Sequence, residues 1–191
     1  LGHDGHPRLG GFMPPVPFPR RMWAGGRVTF SGQLTVGERL HRRSEITRID
    51  YKTGASGEMA LVTVRHRVRG EHGGAVDEDH DLVYLPMPTE FRPPRTLPAP
   101  TAPLFDETVA MGPTRLFRYS AATMNGHRIH YDRSYAREVE KYPDLVVHGP
   151  MQATLLIEAG SRHAARPPVR FSYRGVHPVF DNAPLRLMGT G

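Results

Sequence analysis

Residue types suited to proton transfer lie close together in a polar stretch of the second half of the chain. The run YSAATMNGHRIHYD holds Asn125, His127 and His130 within six positions. A histidine here could take a proton from water, because it titrates near neutral pH, and the Asn125 amide could hold that water by hydrogen bonds. Further on, Gly149 precedes Pro150, a favoured first residue of a helix. A free backbone N–H at such a start can stabilise an oxyanion.

Metal binding is the first alternative for these histidines. His127 and His130 are three residues apart, which could place both on one helical face, and His148 and His163 are further candidate ligands. These residues form no HExxH motif, and the chain has no cysteine for a thiolate zinc site. We therefore predict no metal and no resident cofactor. Each residue alone also has a structural explanation: a hydrogen-bonded core histidine, a turn or cap asparagine, a glycine in a tight turn.

Three separated motifs resemble the MaoC-like hydratases and dehydratases, which are hot-dog-fold enzymes with the pattern D-x-N-P-[LIV]-H-x-D. Aligned without gaps, Asn125 takes the acidic position, His127 the Asn, Arg128 the Pro and His130 the catalytic His. The residues N-x-H-x-I-H-Y are similar to a subgroup that holds the mesaconyl-C4-CoA and itaconyl-CoA hydratases and the type 2 3-hydroxyacyl-thioester dehydratases. LVVHGPMQA downstream, and PPVP with RRMWAGG upstream, also resemble that subgroup. The resemblance thus spans nearly the whole chain.

The resemblance implies a hydro-lyase that adds water to an α,β-unsaturated acyl-CoA thioester. It implies His130 as the base and the Gly149 N–H as the oxyanion donor, while Asn125 orients the water without taking a proton. A short branched dicarboxylic acyl group, as in mesaconyl-C4-CoA or itaconyl-CoA, is the expected substrate. The alternatives are an (R)-3-hydroxyacyl thioester dehydratase of fatty-acid synthesis and a non-catalytic acyl-thioester-binding subunit. Residues expected to bind the substrate, mostly arginines suited to carboxylate and phosphate, are Arg128, His148, Arg118, Arg20 and Arg21.

Composition limits the partners. The 191 residues carry a formal charge of +6, and 38% of them are apolar, enough for a folded core. The arginines are scattered rather than grouped with aromatic residues, so we expect no nucleic-acid partner. No apolar run reaches the ~18 residues of a membrane span, and no signal peptide opens the sequence. We expect a cytoplasmic protein with acyl-CoA as its partner; whether it forms a homodimer stays open.

A proline-rich segment divides the predicted elements into two groups. Residues 86–103 contain seven prolines and predict an extended linker. Residues 1–85 predict an antiparallel sheet, and residues 104–191 predict short strands with three helices, the last of them apolar or small on most faces and therefore buried on nearly all sides. The predicted fold is an α+β double hot-dog with a non-catalytic first half that shapes the acyl pocket, truncated at its start, and a catalytic second half truncated at its end. The predicted strands of the first half are Arg27–Ser31, Arg43–Tyr51, Glu58–Arg69 and Val76–Leu85, with a hairpin connection at residues 53–57.

Overall fold

The computed structural model describes residues 1–54 and 57–191. In chain order the elements are β1 (Arg20–Ser31), β2 (Leu40–Gly54), β3 (Gly57–Gly70), β4 (Ala75–Leu85), β5 (Phe105–Val109), α1 (Pro113–Thr123), a 3-10 turn (Arg128–His130), α2 (Arg133–Glu138), α3 (Gly149–His163), β6 (Arg170–Arg174) and β7 (Leu185–Gly189). They form two compact units. The first unit consists of Leu1–Pro15, Met87–His163 and Val176–Gly191, and the second of Val16–Pro86 and Ala164–Gly175.

The second unit is built on a five-stranded antiparallel sheet in the order β2-β3-β4-β1-β6. Its strands follow the alternating, β-branched sequence pattern: on β3, Ala60, Val62 and Val64 are almost fully buried, while the residues between them are partly exposed. The four strands predicted for the first half are confirmed. Of the predicted hairpin connection, residues 55 and 56 lie outside the described part of the chain. β6 pairs with β1 from Gly25↔Arg174 to Thr29↔Arg170.

The first unit contains the three helices and a short antiparallel pair, β5 with β7. α1 begins with Pro113 at its first turn, as predicted, and ends at Met124 in the left-handed region with φ 54. α2 begins after Asp132, whose side chain accepts a hydrogen bond from the Tyr135 N–H at 3.0 Å. Residues 86–103 contain no helix or strand, in accordance with the proline content. The predicted division into two hot-dog halves at this segment stays a prediction.

The burial predicted for α3 is wrong. Its buried residues are Met151, Ala153 and Ala159, whereas Leu156 is 38% exposed and Glu158 is exposed. The apolar and small residues were sufficient to predict the helix, but they form one buried face rather than an apolar surface on all sides. Among the described residues, no helix is long and apolar enough to cross a membrane.

Candidate active site

An extended segment, residues 145–147, runs between two apolar clusters and positions His130. Val146 packs into one cluster with Ile129, next to the motif histidine, whereas Leu145 and Val147 pack into the other cluster with Leu116 of α1. This alternation is the period of extended backbone, in which successive side chains point to opposite sides. The Val146 N–H donates to the Ile129 carbonyl at 3.0 Å, so the segment is fixed directly beside the 3-10 turn.

His130 lies in this turn as a buried, neutral base. Its side chain is enclosed, with only 6% of the residue exposed, and its Nδ1 lies 2.7 Å from the Val146 carbonyl oxygen. Because a carbonyl can only accept, Nδ1 carries the proton and Nε2 carries the lone pair. Burial lowers the pKa of His130 well below its ordinary value, and the neighbouring His148 and His127 lower it further. The ring is therefore neutral at pH 7, with Nε2 available to accept a proton.

The His148 ring stacks against the His130 ring. The two rings stack at 3.7 Å between centroids and 20° between planes, and His148 is fully buried. Its Nε2 lies 2.8 Å from the Ser120 hydroxyl of α1, while its Nδ1 has no hydrogen-bond partner among the residues described. Burial, followed by the effect of His127, lowers the pKa of His148 to about 4. The predicted contact between His148 and substrate stays a prediction.

Asn125 lies in the turn that connects α1 to His127. Its N–H donates to the Ser120 carbonyl at 2.9 Å, and its Oδ1 accepts from the His127 N–H at 3.1 Å, which closes an Asx turn. Asn125 therefore shapes the loop, as the structural alternative supposed. Its side chain is only half-buried, so its amide group can still bind a water molecule, and the predicted role of orienting the attacking water stays a prediction.

Gly149 is the first residue of α3 and follows His148 directly. The first turn of the helix closes with a hydrogen bond from the Gln152 N–H to the His148 carbonyl at 3.1 Å. Pro150 has no N–H, so the Gly149 N–H is one of the few free donors at this end of the helix dipole. A donor at this point, beside the stacked rings, is suited to an enolate oxygen, and the role of Gly149 as the oxyanion donor stays a prediction.

The predicted substrate arginines occupy three different environments. Arg128 is held in place: its Nη2 lies 2.7 Å from Asp132 Oδ2, and its guanidinium lies 4.4 Å from the Tyr135 ring centroid. Arg118 is exposed and lines a cleft of about 610 Å³ between α1 and α3, together with Arg115, Tyr119, Met151 and Leu155. Arg20 and Arg21 lie on β1 in the second unit, opposite Leu85 and Tyr84. Of the predicted arginines, Arg118 is thus the one that lines this cleft, and the cleft lies beside His148, whose ring centroid is 4.7 Å from that of Tyr119.

Two buried partners were not predicted from the sequence. Ser120 was not recognised as the partner of His148, and Glu140 was not recognised as the partner of His127. Glu140 Oε1 accepts from His127 Nε2 at 2.8 Å, and only 1% of Glu140 and 3% of His127 are exposed. The His127 ring in turn meets His130 edge-on at 5.5 Å. A carboxylate within the charged run REVEK has no local signal that predicts burial.

Comparison with known proteins finds enzymes among the relatives of this chain. The family model described as hydroxyacyl-thioester dehydratase type 2 matches residues 1–181. A mesaconyl-C4-CoA hydratase of Chloroflexus aurantiacus is 46% identical over 195 residues, which cover 98% of this chain and 68% of that protein. The mitochondrial hydroxyacyl-thioester dehydratase type 2 of Schizosaccharomyces pombe is 29% identical over 213 residues, 98% of this chain and 71% of that one.

A solved structure confirms the fold. A MaoC-like dehydratase superposes with a TM-score of 0.68 at 16% identity, over 86% of this chain and 62% of its own length. At that identity the likeness bears on architecture alone. The chain has the predicted α+β hot-dog fold.

Proposed function

The chain belongs to the hydroxyacyl-thioester dehydratase type 2 family, and from that premise we propose that it adds water to the double bond of an α,β-unsaturated acyl-CoA thioester. It is a hydro-lyase acting on acyl thioesters. The observation that carries the proposal is the 46% identity to a mesaconyl-C4-CoA hydratase across nearly the whole chain. The neutral His130 with its free Nε2 supplies the base that such a reaction needs.

The reaction assigns one task to each group of the site. His130 Nε2 accepts a proton from water while the water oxygen bonds to the β-carbon of the substrate. The electron pair of the double bond moves toward the thioester carbonyl, and the resulting enolate oxygen accepts a hydrogen bond from the Gly149 N–H. The protonated His130 then donates its proton to the α-carbon, so one water has been added and the ring is neutral again. Asn125 holds the water and takes no proton.

A short branched dicarboxylic thioester, mesaconyl-C4-CoA or itaconyl-CoA, is the substrate class we favour. The name of the bacterial relative supports it, since that protein is a mesaconyl-C4-CoA hydratase. The cleft between α1 and α3 also supports it, because Arg115 and Arg118 provide cations beside an apolar lining of Met151 and Leu155. A guanidinium is suited to a terminal carboxylate, and the apolar side chains are suited to the branched carbon chain.

The decisive assay follows the loss of enoyl-thioester absorbance with four substrates: mesaconyl-C4-CoA, itaconyl-CoA, crotonyl-CoA and a medium-chain enoyl-CoA. Wild type should hydrate a dicarboxylic thioester, and His130→Ala should lose at least about 100-fold in kcat, the contribution of a general base. His72→Ala, in an exposed turn of the second unit, is the matched control and should retain activity. A preference for crotonyl or longer chains would contradict the substrate class and indicate fatty-acyl dehydration. No turnover by the folded wild type would contradict the enzyme proposal and favour a thioester-binding subunit.

Arg118→Ala tests which anionic group the cleft receives. If Arg118 binds the acyl carboxylate, the loss of one charge-assisted hydrogen bond of about 1.5–3 kcal/mol lowers kcat/KM about 10- to 150-fold on the dicarboxylic substrate alone. Crotonyl-CoA, which has no second carboxylate, should then be unaffected. An equal loss on both substrates would instead indicate contact with the CoA phosphates, and no loss on either would exclude Arg118 from substrate binding.

A further inference from the structure

The first six residues bring two potential metal ligands, Asp4 and His6, against the loop of residues 125–130. Asp4, His6 and His127 each offer one ligand atom, and these atoms all lie within 4.8 Å of one another. The rings of His6 and His127 are 4.3 Å apart between centroids. The Asp4 carbonyl also accepts the Arg128 N–H at 2.9 Å, so the backbone of the segment is fixed to the loop independently of the side chains.

Gly5 indicates how closely the segment fits the loop. Its φ is +89°, and a Cβ at this position would lie 1.7 Å from the carbonyl oxygen of Gly126. A side chain here is excluded both by the backbone conformation and by the contact, so the approach requires glycine. The residues on either side, Asp4 and His6, are thereby held toward His127.

His127 is arranged as metal-binding histidines usually are. Its Nε2–H donates to the buried carboxylate of Glu140 at 2.8 Å, which leaves Nδ1 with its lone pair. A carboxylate behind the ring fixes the tautomer and makes the other nitrogen a stronger ligand, an arrangement found in most histidine–metal sites. Only 1% of Glu140 is exposed, so its carboxylate is enclosed behind the His127 ring and is not a surface charge.

We propose that Asp4, His6 and His127 bind a divalent transition-metal ion, zinc in the first instance, with Glu140 supporting His127 from behind. Two imidazoles and one carboxylate are a donor set that zinc accepts. Ligand atoms at about 2.0–2.2 Å from a tetrahedral ion lie roughly 3.4 Å apart, so the cluster needs to contract by about 1.5 Å or less. The ion joins the first six residues to the loop that carries His130, and it leaves a fourth position for water.

This site is independent of the hydratase proposal and is tested by binding alone. EDTA-treated protein, as the full chain, is titrated with ZnCl2 by calorimetry, and the bound zinc is counted by mass spectrometry after desalting. We expect one ion per chain with a Kd of about 1 μM or tighter. Cobalt(II) in place of zinc should give visible absorption of the intensity typical of four-coordinate sites.

Variants identify the ligands. His6→Ala and Asp4→Asn should each weaken zinc binding at least about tenfold, and Glu140→Gln, which leaves the ligands in place, about 10- to 100-fold. His3→Ala, in the same segment but outside the cluster, is the matched control and should bind as wild type does. The proposal is overturned if binding is absent or not saturable, or if His6→Ala and His3→Ala bind zinc equally. Hydration by the EDTA-treated protein reports on the enzyme proposal separately.

Discussion

Removing the Ser120 hydroxyl should destabilise the protein, because the hydroxyl is a hydrogen-bond partner of His148, 28 positions away in sequence. Ser120 Oγ lies 2.8 Å from His148 Nε2. The other ring nitrogen, Nδ1, is buried and has no hydrogen-bond partner among the described residues, so the ring depends on Ser120. In Ser120→Ala both ring nitrogens lie in an enclosed environment with no partner. A buried polar group left unsatisfied costs about 1–3 kcal/mol, so the free energy of unfolding should fall by that amount.

The measurement is urea unfolding of wild type, Ser120→Ala and Ser161→Ala at pH 7. Ser161 is a matched control, because it also lies near the end of a helix, α3, and its exposed hydroxyl donates to the Ile157 carbonyl of its own helix. Both substitutions gain similar helix propensity, so the difference between them isolates the contact with His148. Ser161→Ala should change stability by less than about 0.5 kcal/mol.

A double-mutant cycle with His148→Phe gives the test more detail. Phenylalanine keeps a ring against His130 but has no nitrogen to leave unpaired, so Ser120→Ala should cost less in that background. We expect a coupling energy of about 1 kcal/mol or more between the two sites. If Ser120→Ala is no more destabilising than Ser161→Ala, the proposed dependence of His148 on this hydroxyl is refuted.

Three further predictions concern the loop, the sheet and the core. Asn125→Ala should lower kcat about tenfold or more, because the amide proposed to orient the water is lost. Asn125→Asp keeps the Oδ1 acceptor for the His127 N–H and should retain wild-type stability. A wild-type kcat in Asn125→Ala would contradict the proposed role of Asn125 in orienting the water. Burial lowers the pKa of His80 from 6.5 to about 4, so the unfolded chain binds the proton first as pH falls. The stability that this group contributes is complete above pH 6.5 and declines by about 3 kcal/mol by pH 4. In urea unfolding the loss of stability between pH 7 and pH 4 should therefore be smaller by about that amount in His80→Leu, in which His130 and His148 still contribute. Leu116→Ala should lower the free energy of unfolding by about 2–5 kcal/mol, because Leu116 is fully buried. Leu156 is 38% exposed, so Leu156→Ala should lower it clearly less. Equal losses of stability in thermal unfolding would contradict the assignment of Leu116 to the core.

Local sequence patterns predicted most of the strands and helices. Alternation and β-branching located β1 to β4, and Pro113 located the start of α1. The polar stretch that the sequence singled out contains His130, which the structure places in a 3-10 turn, and Gly149 is at the helix start that Pro150 indicates. Each of these features depends on residues within a few positions of one another, and that is the range over which a single sequence is informative.

Contacts between distant parts of the chain were not predictable in the same way. Asp4 and His6 meet His127 across more than 100 residues, and no periodicity connects the two segments. The buried carboxylate of Glu140 meets His127 across 13 residues, a contact that forms only in the folded chain. The burial of α3 was wrongly predicted for a related reason: composition indicates how apolar a helix is, but the face that becomes covered depends on its neighbours.

The direction of the His130 lone pair is determined by parts of the chain that are separate in sequence. The Val146 carbonyl fixes which nitrogen carries the proton, the stacked His148 ring fixes the plane, and Ser120 of α1 holds His148 in turn. Ser120 is thus two contacts away from the lone pair. Its loss should therefore misalign the base without removing a group that binds substrate, and in Ser120→Ala we expect kcat to fall while KM stays close to the wild-type value.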